Sequence, residues 1–537
     1  METKMKRFGF MIGSALLAMA LVFTFALVSC DNGTTSGGGG GPQSVTYTGT
    51  KDSVAYTLKI TENLNRSVYT PVVGDTYGLT FGDKISAGTV SSFVGGTYTL
   101  KPDDYMTTFT ATVSGNSLTA LSGTITCTDT TTIAGPGALT GGGSGVIFTG
   151  AGTSVSPYKI GTAAQLAKLA EFVNANDTNY NNKYYILTDN IDLSSYDSEY
   201  NGGKGWIPIG GQIDGNNRYF LGTFDGDNKN ITNLYINDLA SSYKGLFGNV
   251  NGATIENLAV EDANVTGKDT VGILAGNVSG GSIRNCHSSG TVKSANQTGG
   301  LVGYISTSAE LSNCYSTAAV TGDSSGGDIG GLAGFASSCT FTNCYASGTV
   351  VGGTWVGGLA GEAKLHSVIS NCYATGSVSG SSYTGGLVGA VNMSITAGIV
   401  PISSISRCYA TGAVNGTNYV GGIAGSLGAD GTIEYCAAFN PNVTFSGTSF
   451  GRIAGSVNAT NTIFAFNVAF DGMVAVGGTF PSGDQNDKNG LNMTSESIRG
   501  SGTIGSRFTG ANGWTTANGK LPGLFGNTVD MPVHLAE

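Results

Sequence analysis

Apolar residues and glycines recur in the second half of the chain with a period close to 28 residues. One copy of the pattern is Gly299-Gly300-Leu301-Val302-Gly303, and a second pattern, here Leu311-Ser312-Asn313-Cys314, follows at a nearly constant distance. The closing glycines of the eight copies are Gly248, Gly276, Gly303, Gly334, Gly361, Gly389, Gly425 and Gly455, spaced by 28, 27, 31, 27, 28, 36 and 30 residues. A valine stands six residues beyond five of the cysteines. Eight copies of three apolar columns predict a repeat architecture.

The length of one repeat predicts its shape. About 28 residues of strand reach roughly 90 Å, which is enough for one three-sided coil of a β-solenoid and too little for an independent domain. Coils stacked about 4.8 Å apart would form a rod of roughly 40 Å, with backbone hydrogen bonds running between coils. The 36-residue step between Gly389 and Gly425 predicts a projecting loop over residues 393–403.

Different patterns precede the repeats. From about Ser44 to Thr130, apolar and polar residues alternate with a period of two, which predicts a small antiparallel β-sandwich or barrel. A glycine-rich linker follows. After it, Thr162 and Gln165 form a capping box before an amphipathic segment, which predicts a helix that covers the first coil.

Composition narrows the function classes. Only 11% of residues are charged and 87 of 537 are Gly, which is unlike a helical bundle. The net charge is −10 with no Lys/Arg cluster outside the N-terminus, which argues against a nucleic-acid partner. The three histidines lack the spacing of a metal motif, so we expect no metal and no cofactor.

The N-terminus has the features of an export signal. Lys4, Lys6 and Arg7 precede an apolar run over residues 8–28, which ends at Leu27-Val28-Ser29-Cys30. These four residues resemble a bacterial lipobox, and the resemblance implies that Cys30 is lipidated after cleavage. An uncleaved signal anchor is the alternative. Either way we expect a bacterial cell-envelope protein, and the first predicts one anchored in the outer membrane and exposed at the surface.

The repeats resemble the GLUG-motif family of bacterial exported and surface proteins. The resemblance implies an all-β fold, a right-handed β-solenoid (β-helix) of about eight GLUG coils, and an adhesin-like surface role. Some long members are metallopeptidases, but this chain has no HExxH motif. The expected organisation is 1–29 lipoprotein signal peptide, 30–43 flexible tether, 44–130 small β domain, 131–150 linker, 151–243 lead-in segment with capping helix, 244–475 GLUG-repeat solenoid and 476–537 C-terminal closing segment.

Three polar columns are candidate sites. The first is Cys286, Cys314, Cys344, Cys372, Cys408 and Cys436. It has three interpretations, namely reduced core thiols, one or more disulfides, or a metal site. The second is Asn257, Asn285, Asn313, Asn343 and Asn371. It forms either a ladder at a bend or a row of ligand contacts. The third is Tyr315, Tyr345, Tyr373 and Tyr409. If the cysteines face inward, these tyrosines face outward, to bind sugar rings or a protein partner or merely to stabilise the sheet.

Catalysis is not expected. The acids of the repeats are chiefly Glu256, Asp269, Asp323, Asp328, Glu362 and Glu434. They stand at non-equivalent positions, and the sequence shows no acid/base pair. The prediction is therefore a lipid-anchored surface protein with a non-catalytic, adhesin-like or ligand-binding solenoid, whose partner is a host or cell-wall glycan or protein. A structural spacer without a ligand and a polysaccharide-processing enzyme are the alternatives.

Overall fold

The structure is a computed structural model that describes residues 148–391 and 403–536, together with the backbone of the strands between residues 44 and 134. The chain divides into two compact units, residues 1–147 and 148–537. Strands hold 47% of the residues and helices 8%, which confirms the all-β class.

The first unit contains a seven-stranded antiparallel sheet in which each strand pairs with the next one along the chain. Its strands are Ser44–Lys51, Val54–Thr61, Thr76–Phe81, Lys84–Val94, Thr97–Pro102, Phe109–Ser114 and Ser117–Ser122. A separate antiparallel pair joins Thr124–Thr126 to Thr132–Ala134. The predicted small antiparallel domain is therefore present as a meander.

The second unit is a parallel β-solenoid of about 11 turns, built from three sheets. The strands of sheet 1 are Tyr158–Ile160, Tyr184–Leu187, Ile191–Asp192, Thr223–Thr232, Tyr235–Asp238, Thr254–Gly267, Ser282–Arg284, His287–Ser294, Glu310–Ser312, Tyr315–Ser316, Ala319–Gly322, Thr340–Thr342, Tyr345–Ala346, Val350–Val351, Val368–Ser370, Tyr373–Ala374, Val378–Ser379, Ser404–Ser406, Tyr409–Ala410, Val414–Asn415, Thr432–Glu434, Ala437–Ala438, Asn442–Thr444, Ile463–Ala465, Val468–Phe470, Val474–Val476 and Leu491–Met493. The strands of sheet 2 are Phe247–Asn251, Ala275–Ser279, Val302–Ser306, Ala333–Ser337, Ala360–Lys364, Val388–Val391, Ala424–Leu427 and Ala454–Val457. Those of sheet 3 are Asp269–Gly272, Asn296–Gly299, Gly327–Gly330, Thr354–Gly357, Ser382–Gly385, Asn418–Gly421 and Phe450–Gly451. A hairpin of Gly211–Ile213 and Asn216–Arg218 stands beside them.

Each repeat contributes one coil, which passes through sheet 1, then sheet 3, then sheet 2. Equivalent residues of successive coils pair directly, as Tyr315 does with Tyr345 and Val320 with Val350. The solenoid exceeds the eight expected coils because the lead-in segment adds coils of its own, beginning at Tyr158–Ile160.

The apolar columns form the core. Three columns of side chains, each at most 1% exposed, make up much of it. The first contains Ile283, Leu311, Phe341, Ile369, Ile405 and Ile433, the second contains the six cysteines, and the third contains Val292, Val320, Val350, Val378 and Val414. Equivalent residues of successive coils therefore stack on one another and bury each repeat against its neighbours. A repeat that is too short to fold alone requires this burial.

The motif glycines are needed for close approach of the backbone. Gly389 ends one motif, and a Cβ placed on it would lie 2.5 Å from the carbonyl carbon of Trp355 in the preceding coil. That glycine does not have a positive φ. Sheets 2 and 3 can therefore pack against each other only where side chains are missing.

The N-terminal end of the solenoid is closed. Helix α1 (Ala163–Asn174) buries Leu166, Leu169, Ala170 and Val173. The Asn174 side chain donates to the Pro208 carbonyl and accepts from the Gly210 amide, each at 3.0 Å, so it satisfies the backbone just before the Gly211–Ile213 strand. Thr149 pairs antiparallel with Lys159 and covers the first strand.

The chain after the last coil turns back along the solenoid. We call residues 495–536 the C-terminal tail. It contains helix α2 (Ser495–Gly500), a 3-10 turn (Gly510–Asn512) and helix α3 (Val533–Ala536), and another 3-10 turn lies earlier at Tyr200–Gly203. None of the helices in the described part of the chain has the length and apolar character needed to cross a membrane.

A candidate ligand-binding cleft on the solenoid

The predicted tyrosine column forms a continuous stack of rings. It begins at His287 and continues through Tyr315, Tyr345, Tyr373 and Tyr409, with ring centroids 4.5 to 5.0 Å apart and ring planes within 5° of parallel. The stack follows from the register, which pairs each ring with the next. Because each inner ring has a neighbour on both faces, only ring edges and hydroxyl groups point away from the solenoid. A sugar therefore cannot stack on the inner rings.

The asparagine column forms a hydrogen-bonded ladder at a bend, which is one of the two interpretations that its sequence pattern allows. Its five residues have φ between 53° and 55°, the left-handed region that asparagine tolerates best. Each side-chain amide of Asn285, Asn313 and Asn343 donates to the carbonyl oxygen of the asparagine before it, at 2.9 to 3.3 Å. Asn257 in turn donates to Asp225.

The C-terminal tail covers much of the tyrosine stack. Trp514 lies against Tyr373 and Tyr409, with centroids 6.1 and 5.8 Å away. The Tyr409 hydroxyl donates to the Pro522 carbonyl at 2.6 Å. Tyr373 is 6% exposed and Tyr409 is 0% exposed. The expected outward binding stripe is therefore wrong for these two residues, because the tail packs on them.

A cleft remains open where the tail leaves the stack. Its volume is about 490 Å³, and its lining is Asn285, His287, Asn313, Tyr315, Asn343, Gly513, Leu524, Phe525 and Gly526. The ladder of carboxamides forms one wall and the tail forms the other. Phe525 contacts both Tyr315 and Tyr345, at 6.1 and 5.9 Å between centroids.

Two features of the cleft are costly for the protein alone. The side-chain oxygen of Asn343 is buried and has no hydrogen-bond partner, and such a buried group ordinarily destabilises a fold by about 1–3 kcal/mol. Phe525 has a φ of 57° and remains 42% exposed, although bulky residues avoid this backbone region. Unpaired polar groups and strained residues concentrate at functional sites.

The cleft is close to neutral. Burial, with a smaller effect of the Glu261 charge, raises the pKa of Tyr315, so the phenol remains a hydrogen-bond donor at neutral pH. His287 is the sole titratable residue besides Tyr315 in the lining, and its Nε2 lies 3.3 Å from Glu261. The site therefore offers hydrogen bonds and ring surface rather than a concentrated charge.

Four segments match the family model described as the GLUG motif, at residues 294–321, 325–351, 352–379 and 416–444. The chain carries GLUG repeats. The chain is 37% identical over 131 residues to halomucin of Haloquadratum walsbyi, a match that covers 24% of this chain and 1% of halomucin. It is 36% identical over 124 residues to a Gly-rich membrane protein of Evansella cellulosilytica, covering 23% of this chain and 12% of that protein. The chain thus spans a small part of either relative.

In the GLUG repeats the cysteine column lies in the core of the solenoid. All six thiols are free and buried. The Cys314 thiol donates to the Ser312 carbonyl at 3.2 Å, and the Cys286 amide donates to the Cys314 sulfur at 3.4 Å. Burial raises the pKa of Cys314, Cys344, Cys372 and Cys408. Protonated thiols are poor metal ligands, and the described residues contain no cluster of three or more metal-ligating side chains.

Two acids that the sequence places at different motif positions lie close together. Burial and the charge of Glu362 raise the pKa of Asp328 to about 7. Burial likewise raises the pKa of Glu362, against the effect of Lys364, which lies 3.2 Å away. Sequence analysis missed this pair because Asp328 precedes one GLUG motif and Glu362 follows the next, so that only the folded turn brings them together.

A second aromatic row was also missed. Trp355, Tyr383 and Tyr419 occupy one column of sheet 3, stacked at 6.2 and 4.5 Å. Each is half-buried with φ between 53° and 55°. The signal that would have found them is an aromatic residue two positions before the Gly-Gly pair of three successive motifs.

Several predictions fall on residues that the structure does not describe. They include the signal peptide, Cys30, the tether and residues 393–402 of the predicted loop. Ser403, at the end of that loop, is buried, and its hydroxyl accepts from the Ser367 amide at 3.1 Å.

Proposed function

We propose that the protein is a bacterial envelope lipoprotein whose GLUG solenoid binds a saccharide without chemical turnover. The N-terminal residues support the location, because the charged start, the apolar run and the Leu27–Cys30 sequence have the order of a lipoprotein signal. One relative is itself named a membrane protein. On this proposal the lipid on Cys30 holds the protein in the outer membrane, with the solenoid exposed at the surface.

The cleft between the asparagine ladder and the tail is the proposed saccharide site. The observation that carries the proposal is that the carboxamides of Asn285, Asn313 and Asn343 line the same cleft as the exposed ring of Phe525. A carboxamide both donates and accepts, which suits neighbouring hydroxyl groups of a sugar. An exposed ring suits the apolar face of a pyranose. Among the lining residues, these two complementary features meet at one opening.

Size and charge favour a neutral sugar. A volume of about 490 Å³ falls within the range of about 300–1,000 Å³ that is usual for small-molecule sites. The lining contains no Lys, Arg, Asp or Glu. A strongly acidic polysaccharide would find no cation there, so uncharged hexose or N-acetylhexosamine units of a host or cell-wall glycan are the favoured ligands.

We propose binding rather than catalysis because the cleft lacks a pair of carboxylates among its lining residues. The acid pair Asp328 and Glu362 lies instead on sheets 3 and 2, away from the tyrosine stack on sheet 1. A polysaccharide-processing enzyme would need its catalytic carboxyl groups next to the bound sugar.

The test of binding is a glycan array followed by calorimetry on any neutral glycan that binds. We expect Phe525→Ala to weaken binding at least about tenfold, a loss near 1.4 kcal/mol. Phe466→Ala is the matched control, since Phe466 has the same φ of 57° and the same 42% exposure but lies outside the cleft. Its affinity should stay within about twofold of the unmodified protein.

Two outcomes would reject the saccharide proposal. If no glycan binds, or if both variants bind as tightly as the unmodified protein, the solenoid is better explained as a spacer without a ligand. Release of reducing or unsaturated sugars from the same glycan panel would instead support an enzyme.

The anchor has a separate test. Intact mass and membrane fractionation of the native protein should show a lipid-shifted mass that Cys30→Ala removes. Protease treatment of whole cells should then degrade the solenoid. An unlipidated protein, or one protected from protease, contradicts the surface location whatever the cleft binds.

A further inference from the structure

The C-terminal end of the solenoid differs from most earlier coils in its outward residues. The column that ends at Val476 contains Lys293, Thr321, Val351, Ser379, Asn415 and Thr444 in the preceding coils. The column that ends at Ile463 contains Ser282, Glu310, Thr340, Val368, Ser404 and Thr432. In each column, five of the six earlier residues are polar, whereas the terminal residue, Val476 or Ile463, is a branched aliphatic residue.

These last residues are exposed. Ile463 is 54% exposed, Val474 55% and Val476 45%. They replace Thr432, Asn442 and Thr444 of the coil before, which is the reverse of the usual pattern, since terminal repeats normally carry a more polar outer face. We call the two strands that hold them, Ile463–Ala465 and Val474–Val476, the terminal edge.

The terminal edge has no strand on its far side. The first strand pairs with Thr432–Glu434 and the second with Asn442–Thr444, and no described strand continues either ladder. Exposed edges are normally protected by Lys, Pro or a charge that prevents strand addition. The sequences Ile-Phe-Ala and Val-Ala-Val contain none of these.

We propose that the terminal edge pairs with the terminal edge of a second copy of this protein, to form a closed tail-to-tail dimer. The occupant is a second copy because the edge continues the coil-to-coil interface that this chain already forms through about 11 turns. A head-to-tail fibre is blocked, since α1 and the Thr149 to Lys159 pairing close the other end. A two-fold axis would align the strands antiparallel, so that each aliphatic side chain packs on the partner's edge.

The dimer is measured by sedimentation equilibrium on the full protein extracted in detergent, with the detergent density-matched. We expect twice the protomer mass and no larger species. Replacing each edge residue by the one a coil earlier, as Ile463→Thr, Val474→Asn and Val476→Thr together, should weaken self-association at least about tenfold. Val351→Thr is the matched control, because Val351 is 47% exposed in the Val476 column but lies four coils inside. It should change the dissociation constant by less than about twofold.

A second variant guards against a folding defect in the triple variant. Val476→Lys places at the edge the residue type that the same column holds at Lys293, and it should give a monomer with an unchanged far-ultraviolet circular dichroism spectrum. A protein that is monomeric at about 100 µM, a dimer that both edge variants leave intact, or a series of ever larger oligomers would each overturn the proposal.

Discussion

The asparagine column shows how one residue type can satisfy two local requirements at a bend. Each asparagine adopts a left-handed backbone, and the first four also donate a side-chain hydrogen bond to the preceding coil. In coils where the column holds Arg407, Tyr435 or Phe466, the positive φ remains although the carboxamide is absent. The bend is therefore set by the stacking of the coils, and the ladder adds stability to it.

Substitutions of Asn313 separate the contribution of the hydrogen-bonded ladder from the steric cost of the left-handed backbone. Asn313→Ala loses the hydrogen bonds to Asn285 and from Asn343 and keeps a Cβ in the left-handed region, so we expect a destabilisation of about 2–3 kcal/mol. Asn313→Gly loses the same bonds without the steric cost. Urea unfolding should therefore rank the glycine variant between the alanine variant and the unmodified protein. Equal losses would contradict a steric contribution.

Asp328 predicts a pH dependence of stability. Its pKa is raised from 3.8 to about 7 in the fold, so the folded state binds more protons than the unfolded chain between these values. Stability should fall as the pH rises through that window, by at most about 1.4 kcal/mol per unit for this group. Glu362 has the same sign, and the Lys364 ammonium opposes both.

Thermal melts at pH 5 and pH 8 provide the measurement. We expect Asp328→Asn to reduce the difference between the two melting temperatures. Asp323→Asn, a change of an exposed acid in the same repeat, should leave that difference unaltered. A steeper profile in Asp328→Asn would show that the folded state prefers the ionised form.

At the scale of elements, the tail contacts the tyrosine stack through aromatic rings and one hydrogen bond. The buried Tyr409 hydroxyl has its acceptor, the Pro522 carbonyl, in the tail. Tyr409→Phe leaves that carbonyl without this donor and should weaken tail docking by about 1 kcal/mol. Limited proteolysis should then cut between residues 510 and 530 several times faster than in Tyr419→Phe, which alters sheet 3 only. Identical cleavage rates would mean that other contacts hold the tail.

The sequence predicts the elements that recur and fails for contacts that do not. The columns of cysteine, valine and tyrosine were assignable because parallel stacking preserves spacing, and the capping box was confirmed where Thr162 accepts from the Gln165 amide. The Gln165 side chain also accepts from the Gly161 amide. Nothing periodic links Trp514 or Phe525 to the repeats, so the tail, and with it one wall of the cleft, could not be placed from sequence.

At the scale of the whole molecule, the larger unit is a solenoid whose core is continuous from coil to coil. About 11 turns at about 4.8 Å each correspond to roughly 50 Å. Stability in such an array depends on neighbouring coils, because no repeat is stable alone. The six column thiols should therefore resist alkylation in the folded solenoid and react together when it unfolds.

Alkylation followed by mass spectrometry checks this cooperativity. Native labelling of the column should be at least about a thousandfold slower than in denaturant, in line with the small unfolded fraction of a stable domain. Adding a reductant should leave the melting temperature unchanged, since the thiols are free. Native labelling of one column cysteine far ahead of the others would indicate that the coils open independently.

The coil-to-coil hydrogen bonds run along the solenoid, which determines how the molecule responds to tension. A pull along the solenoid axis loads these bonds in series, so coils open one at a time, and each releases roughly 90 Å of chain. The tail lies across the four coils from Tyr315 to Tyr409 through Phe525, Trp514 and Pro522. The tail therefore links these four coils, and they can unfold only after the tail has detached from the tyrosine stack.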